Sequence, residues 1–412
     1  MITTMDYLKS DKTDNLLRDK LIEITNVIEK NIYANKGFDY DLMAGNSGFM
    51  LYCYYYSDFM GVPKFKLIGE SLMNKICSHI NRAPSSCVFN YAEGIPGFLN
   101  TINHLIEYGY IDIQTVEISD DIDEFIFEIC QHAISTGQDD FLYGAGGLFY
   151  YLQKKYILFK SSLTKDLLIS LTKQLYDRNL ASNIFKCPEK YERLVDLGIP
   201  HGYSSWLILL SNNFSYDIEP TLSLKMMDNL FLCYKPYLQN KIIDYKKYYF
   251  PEFTNIGVQR SNFKSRLGWC YGDIPCLLAL IEYDKCKKNE LSSKLRAIIQ
   301  HIALRDDLEM YNVYDACVCH GTSGLAIILK SLFNKYHDKT LLNASAYWKS
   351  KILYMSNRTE GPAGFQKRSY ANNQFIYTSE FGLLEGITGI GLSIMGLLSD
   401  KHDKWKELLL IS

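Results

Sequence analysis

A short pattern, Gly-x-x-Gly followed by an apolar run, recurs along the chain. A recurring unit constrains the fold more than any single motif does. The pattern stands at Gly45-Asn46-Ser47-Gly48, Gly94-Ile95-Pro96-Gly97, Gly144-Ala145-Gly146-Gly147, Gly321-Thr322-Ser323-Gly324 and Gly386-Ile387-Thr388-Gly389. Two degenerate copies, Gly202-Tyr203-Ser204-Ser205 and Gly272-Asp273-Ile274-Pro275, fill the gaps. The first glycines are therefore spaced 49, 50, 58, 70, 49 and 65 residues apart. Seven units of roughly this period belong to the range of helical-pair arrays.

Each unit reads alike. Segments such as 15–32, 163–176 and 291–304 precede the glycines and place apolar residues at i, i+3, i+4 and i+7, the signature of an amphipathic helix. The segment after the glycines is apolar almost all round, which predicts a helix buried on most sides. The glycines are expected to supply positive φ and a close-packed turn between the two. A layer that is apolar on every face favours a closed ring over an open solenoid. The expected fold is all-α: an α/α toroid of seven helical hairpins, with residues 1–412 as a single domain. Segments 184–201, 244–259 and 357–381 are long loops, where functional residues tend to collect, and they have room for a short β hairpin.

Composition narrows the classes. Hydrophobic residues at 47% and charged residues at 22% exclude a mostly disordered chain. Lys plus Arg at 44 against Asp plus Glu at 46 gives a net charge of −2, which argues against nucleic acid as the main partner. The N-terminus lacks a basic start followed by an apolar run, and no stretch is long and apolar enough to span a bilayer. A cytoplasmic location is expected. In that reducing setting the 11 cysteines read as core thiols, metal ligands or a nucleophile rather than as disulfides.

In a ring of hairpins every glycine turn points to the same end, so residues just before the turns converge. Those residues include Asp140 before Gly144, His201 before Gly202, Cys270 and Tyr271 before Gly272, and Cys319-His320 before Gly321. Thiolate and imidazole are the ligands that zinc prefers, and three protein ligands with an open fourth position make the catalytic pattern. Adjacent residues such as Cys319 and His320 reach one ion only from a turn. Cys317 gives Cys-x-Cys-His and is a rival ligand, ranked below Cys319. Spacing alone leaves the plainer readings open: buried thiols at Cys270 and Cys319, a capping His201, a helix-capping Asp140 and a surface ion pair at Arg266. Acidic runs at 120–124 and 306–307 lack a full Asp-Asp-x-x-Asp magnesium box, and the first reads as a helix start favoured by the dipole. There is no Walker loop and no Gly-x-Ser-x-Gly.

The seven turns, together with His201-Gly202, Trp269-Cys270-Tyr271-Gly272 and Cys319-His320-Gly321, resemble the LanC-type lanthionine synthetases, the lanthipeptide cyclases. The resemblance runs from Gly45 to Gly389. It implies an α/α toroid with one zinc per chain held by Cys270, Cys319 and His320. It further implies His201 as the acid/base, Asp140 as the active-site aspartate, and Arg266 and Tyr271 beside the first zinc cysteine. Ser205, Pro275 and Asp273 depart from the family's usual glycines. The implied reaction is the addition of a cysteine thiol to dehydroalanine or dehydrobutyrine in a dehydrated lantibiotic precursor that carries a leader, closing a thioether ring. Implied partners are a separate dehydratase and an exporter, with association at the inner face of the membrane through them. The alternatives are a LanC-like protein that adds glutathione and a non-catalytic peptide-binding scaffold of the same fold.

Overall fold

The computed structural model describes residues 4–34, 39–83, 86–115, 120–182, 185, 194–239, 246–255, 265–371 and 373–411. Among these are fourteen α-helices: α1 (Thr4–Ala34), α2 (Asn46–Met60), α3 (Pro63–Arg82), α4 (Ile95–Glu107), α5 (Asp120–Thr136), α6 (Ala145–Phe159), α7 (Ser162–Ser182), α8 (Tyr203–Ser215), α9 (Pro220–Leu238), α10 (Asp273–Cys286), α11 (Ser292–Ala303), α12 (Thr322–Tyr336), α13 (Lys339–Tyr354) and α14 (Ile387–Leu398). Every even-numbered helix starts directly after the first glycine of a turn, and that glycine is its N-cap. The expected all-α class and the alternation of two helix types both stand.

The two helix types bury differently, for the reason the pattern gave. Ten consecutive residues of α2, from Ser47 to Tyr56, are buried, as are eleven of α14. Their odd-numbered partners bury one stripe. In α13 it is Leu341, Ala344, Ser345, Trp348 and Ile352; in α11 it is Leu295, Ile298, Ile299 and Ile302. Each large apolar side chain removed from water this way contributes about 1.5–3 kcal/mol. The acidic run at 120–124 does open α5, as the dipole argument expected.

The expected positive φ holds at one turn only. Gly272 has φ +90°, whereas the other six cap glycines lie between −108° and −132°, which any residue can adopt. Glycine is required there by close approach instead. A Cβ at Gly94 would stand 2.5 Å from the carbonyl oxygens of Val88 and Asn90. A Cβ at Gly321 would stand 2.6 Å from the Cys317 carbonyl oxygen and from Asp315 Oδ1. The turns are this tight because the first helical N–H reaches back seven residues. Ile95 bonds the Val88 carbonyl at 2.9 Å, Ala145 that of Gln138 at 2.8 Å, Thr322 that of Asp315 at 3.0 Å and Ile387 that of Glu380 at 3.2 Å. These bonds employ amide groups that a helix N-terminus leaves without intrahelical partners.

The chain falls into two compact units. One comprises Met1–Pro84 and Asp306–Ile411, and so holds α1 to α3 and α12 to α14. In it the turns are stitched together: Cys319 N–H donates to the Leu384 carbonyl at 3.0 Å and Leu384 N–H to that of Met43 at 3.1 Å. An antiparallel hairpin of β3 (Lys367–Ala371) and β4 (Gln374–Thr378) fills much of the third long loop. The other unit, Ser85–Arg305, holds α4 to α11. Here Tyr91 and Ala92 N–H both donate to the Leu142 carbonyl, at 3.0 and 2.9 Å, and Phe141 and Leu142 to that of Pro200, at 3.1 and 3.3 Å.

The second long loop does not form a hairpin within its described residues. Its strand β2 (Phe253–Thr254) pairs antiparallel with β1 (Val195–Asp196), just upstream of His201. The two loops therefore brace each other. The remainder of these loops, 184, 186–193, 244–245 and 256–259, lies outside the described residues.

Candidate functional site

In the Ser85–Arg305 unit the turns entering α6, α8 and α10 bring together four of the expected residues. Asp140 and His201 come from successive turns joined by the bonds to Pro200. The Asp140 carboxylate stands 2.5 Å from His201 Nδ1, while its other oxygen accepts the Tyr143 N–H at 2.8 Å. Asp140 is therefore not the cap of α6, which is Gly144; its bond to Tyr143 closes the turn before that helix and uses one oxygen only. His201 is 39% exposed at the side chain and lies parallel to the Tyr143 ring at 6.1 Å between centroids. The Asp140 carboxylate holds its imidazole above the ordinary value, against the opposing pull of partial burial. Both residues line a cleft of about 440 Å³, with Tyr143, Asp196 and Trp206 on its walls.

Cys270 is buried, at 4% exposure, two residues before the positive-φ Gly272. Its neighbour Tyr271 donates its hydroxyl to Asp196 Oδ2 at 3.0 Å. Burial, followed by the charge of Asp196, pushes the Tyr271 phenol well up, so it remains a proton donor across the ordinary pH range. Arg266 is expected either to pair at the surface or, by the resemblance, to stand beside the first zinc cysteine. Its Nε lies 3.5 Å from Glu252 Oε1, and its guanidinium stands 5.9 Å from the Tyr271 ring centroid.

Two acids here escaped the sequence reading. Asp196 accepts the Gly198 N–H at 2.6 Å as well as the Tyr271 hydroxyl, and burial lifts its carboxyl to about 6. Glu252 is also raised by burial, against the opposing effect of Arg266. A signal for the first existed. An acid stands six residues before the first glycine at Asp39, Asp196, Asp315 and Glu380, the position to which the turn's closing bonds return.

In the Met1–Pro84 and Asp306–Ile411 unit, the turn entering α12 carries Cys319 and His320. Cys319 Sγ and a ring nitrogen of His320 lie within 4.8 Å of each other, so the turn does what a regular helix or strand would not. Cys319 is 7% exposed. Asp315, Cys317 and His320 also group within 4.8 Å, which keeps Cys317 in place as a rival ligand. The structure gives Cys317 other work: its sulfur accepts the His320 N–H at 3.5 Å, and burial pushes its thiol up to about 11. Asp315 Oδ1 accepts the Cys317 N–H at 3.0 Å, and Oδ2 lies 3.5 Å from His320 Nε2.

Cys270 in one unit, and Cys319 with His320 in the other, are sulfur and nitrogen donors of the kind zinc selects. The donors are largely withdrawn from water and fixed by backbone bonds of their own turns, a donor chemistry that fits the ion.

Among solved structures, nisin cyclase matches with a TM-score of 0.72 at 17% identity, covering 96% of this chain and 98% of that one. The likeness shows the fold, the α/α architecture the repeats led us to expect. No curated protein sequence matches the chain. The family of lanthionine synthetase C-like proteins matches residues 38–410, which is nearly the whole chain. With all seven glycine turns inside that stretch, the chain belongs to the lanthionine synthetase C-like family.

Proposed function

We propose that this chain is a zinc-dependent lanthipeptide cyclase. It closes lanthionine and methyllanthionine rings by adding a peptide cysteine to dehydroalanine or dehydrobutyrine of the same dehydrated precursor. The observation that carries the reading is the Asp140–His201 pair, 2.5 Å apart at the wall of an open cleft, with the His201 turn next to the one that bears Cys270. Family membership and the likeness to a protein named for cyclising nisin support it.

Cys270, Cys319 and His320 are the residues that would hold one zinc per chain. On this reading residues 1–412 act as one domain. Bound there, zinc supplies a Lewis acid that keeps a substrate thiol available as thiolate at neutral pH, where a free thiol with a pKa near 8.5 is mostly protonated.

His201 takes the proton that the thiol gives up. The new C–S bond forms at the β-carbon, the alkene π pair moves onto the α-carbon and carbonyl as an enolate, and the same proton returns from His201 to the α-carbon. No proton is gained or lost overall. The raised imidazole suits that return step, since it stays charged beside the developing anion. Asp140 orients His201 through Nδ1, leaving Nε2 to face the cleft. Tyr271 and Arg266, tied to Asp196 and Glu252, shape the wall beside Cys270.

The dehydrated peptide with its leader is the substrate, with a dehydratase and an exporter as partners at the inner face of the membrane. No helix among the described residues is long and apolar enough to cross a membrane.

The test is metal content of the purified protein and of Cys319→Ala, followed by ring closure on a dehydrated peptide that carries a cysteine. One zinc per chain, lost in the variant, and a thioether product are expected. Folded protein without zinc would leave the scaffold reading, and addition of free glutathione with no ring closure would select the glutathione-adding one.

A further inference from the structure

The acid six residues before the cap glycine does a different job at each turn. At the first turn, Asp39 Oδ1 accepts the Asn46 N–H at 2.8 Å, a purely local cap. At the fourth, Asp196 spends one oxygen on its own turn and the other on Tyr271. At the sixth, Asp315 is almost wholly buried, 1% exposed at the side chain. Its Oδ1 holds the Cys317 N–H at 3.0 Å. Its Oδ2 accepts the Arg368 N–H of β3 at 3.1 Å and lies 3.5 Å from His320 Nε2.

We propose that Asp315 is a positioning residue for the metal: its carboxylate keeps the His320 proton on Nε2 and turns the ring so that Nδ1 is the ligating nitrogen. The inference rests on the zinc reading above. A neutral imidazole carries one proton, so a carboxylate facing Nε2 leaves the lone pair on Nδ1. The 3.5 Å gap becomes an ordinary hydrogen bond with a shift of about half an ångström. The strand contact explains why the carboxylate stays put. The Arg368 side chain is itself clamped between the Tyr314 and Phe375 rings, 3.6 Å from each centroid, so β3 delivers its N–H to Asp315 from a fixed position. The exposed hairpin and the candidate ligand are thereby connected through one buried oxygen. Carboxylates behind metal-bound histidines fix both tautomer and ring orientation, and their loss typically costs 10–100-fold in metal affinity.

The experiment is chelator competition for zinc on the wild-type chain, Asp315→Asn and Asp39→Asn, with helicity checked by circular dichroism. Asp39→Asn alters the same capping position at a turn without a candidate ligand, so a merely structural effect would show there too. Asp315→Asn should lose about 10–100-fold in zinc affinity, and Asp39→Asn should lose none. Equal affinity in the wild type and Asp315→Asn would overturn the proposal. A readout without variants is histidine ¹⁵N NMR of the zinc-loaded wild type: Nε2–H protonated and Nδ1 coordinated is expected for His320, and coordination through Nε2 would overturn it. A folded wild-type chain that binds no zinc would instead overturn the zinc reading, and this inference with it.

Discussion

Asp140 and His201 are 61 residues apart in the chain, and their side chains meet at 2.5 Å between Oδ2 and Nδ1. The contact exists because the two turns share backbone bonds at Pro200. It raises the imidazole through the carboxylate, chiefly by hydrogen bonding. The stability this pair contributes is therefore complete below the ordinary imidazole value of about 6.5 and is lost as pH rises through the higher folded value. In Asp140→Asn the His201 titration midpoint, followed by NMR, should move down toward the ordinary value. A midpoint that stays put would show that Asp140 does not set it.

Cys317 and Cys319 should separate cleanly in metal content. Cys317→Ser should keep zinc, because a buried thiol pushed up to about 11 and engaged with the His320 N–H is poorly placed to ligate. Cys319→Ser and Cys270→Ser should each lose it. Zinc lost from Cys317→Ser in a folded protein would make the local Asp315, Cys317 and His320 group the ligand set instead.

Asp196 makes a prediction in the opposite sense from a salt-bridged acid. Burial raises its carboxyl to about 6, so the folded chain binds an extra proton between the ordinary carboxylate range and that value. Stability then falls as pH rises through this window, by up to about 3 kcal/mol. Asp196→Asn removes the titration. The stability of the variant relative to wild type, from urea unfolding, should increase between pH 4 and 6 and level off above. A difference that is flat with pH would refute this.

Asp273, the departure at the degenerate fifth turn, is structural. It pairs with Arg305 at 2.7 Å, with both side chains fully buried, and accepts the Tyr249 and Phe250 N–H groups at 2.8 Å each. Arg305 also donates to the Lys247 carbonyl at 2.8 Å. Replacing Arg305 by Met should cost about 3–5 kcal/mol by leaving a buried carboxylate unpaired. The double variant with Asp273→Asn should recover part of that loss, and a single variant as stable as wild type would contradict the pairing.

The sequence by itself determined the helical class, the seven units and the residues worth testing. Apolar periodicity and glycine spacing are local properties, and local chemistry decides which segments become helices and where they begin. It also named Asp140, His201, Cys270, Tyr271, Cys319 and His320, because they occupy equivalent places before the turns. What it could not decide were partners. The turns are tight through collisions with their own carbonyls, and only the folded backbone reveals that the cap glycines are needed for space rather than for positive φ. Arg266 meets Glu252, Tyr271 meets Asp196, and Cys317 takes the His320 N–H. Each is a choice among several nearby groups, settled by angstrom-scale packing of segments far apart in the chain. The acids Asp196 and Asp315 were visible as a recurring position. Their roles differ because each turn presents its second oxygen to a different neighbour, and that neighbour is supplied by tertiary structure alone.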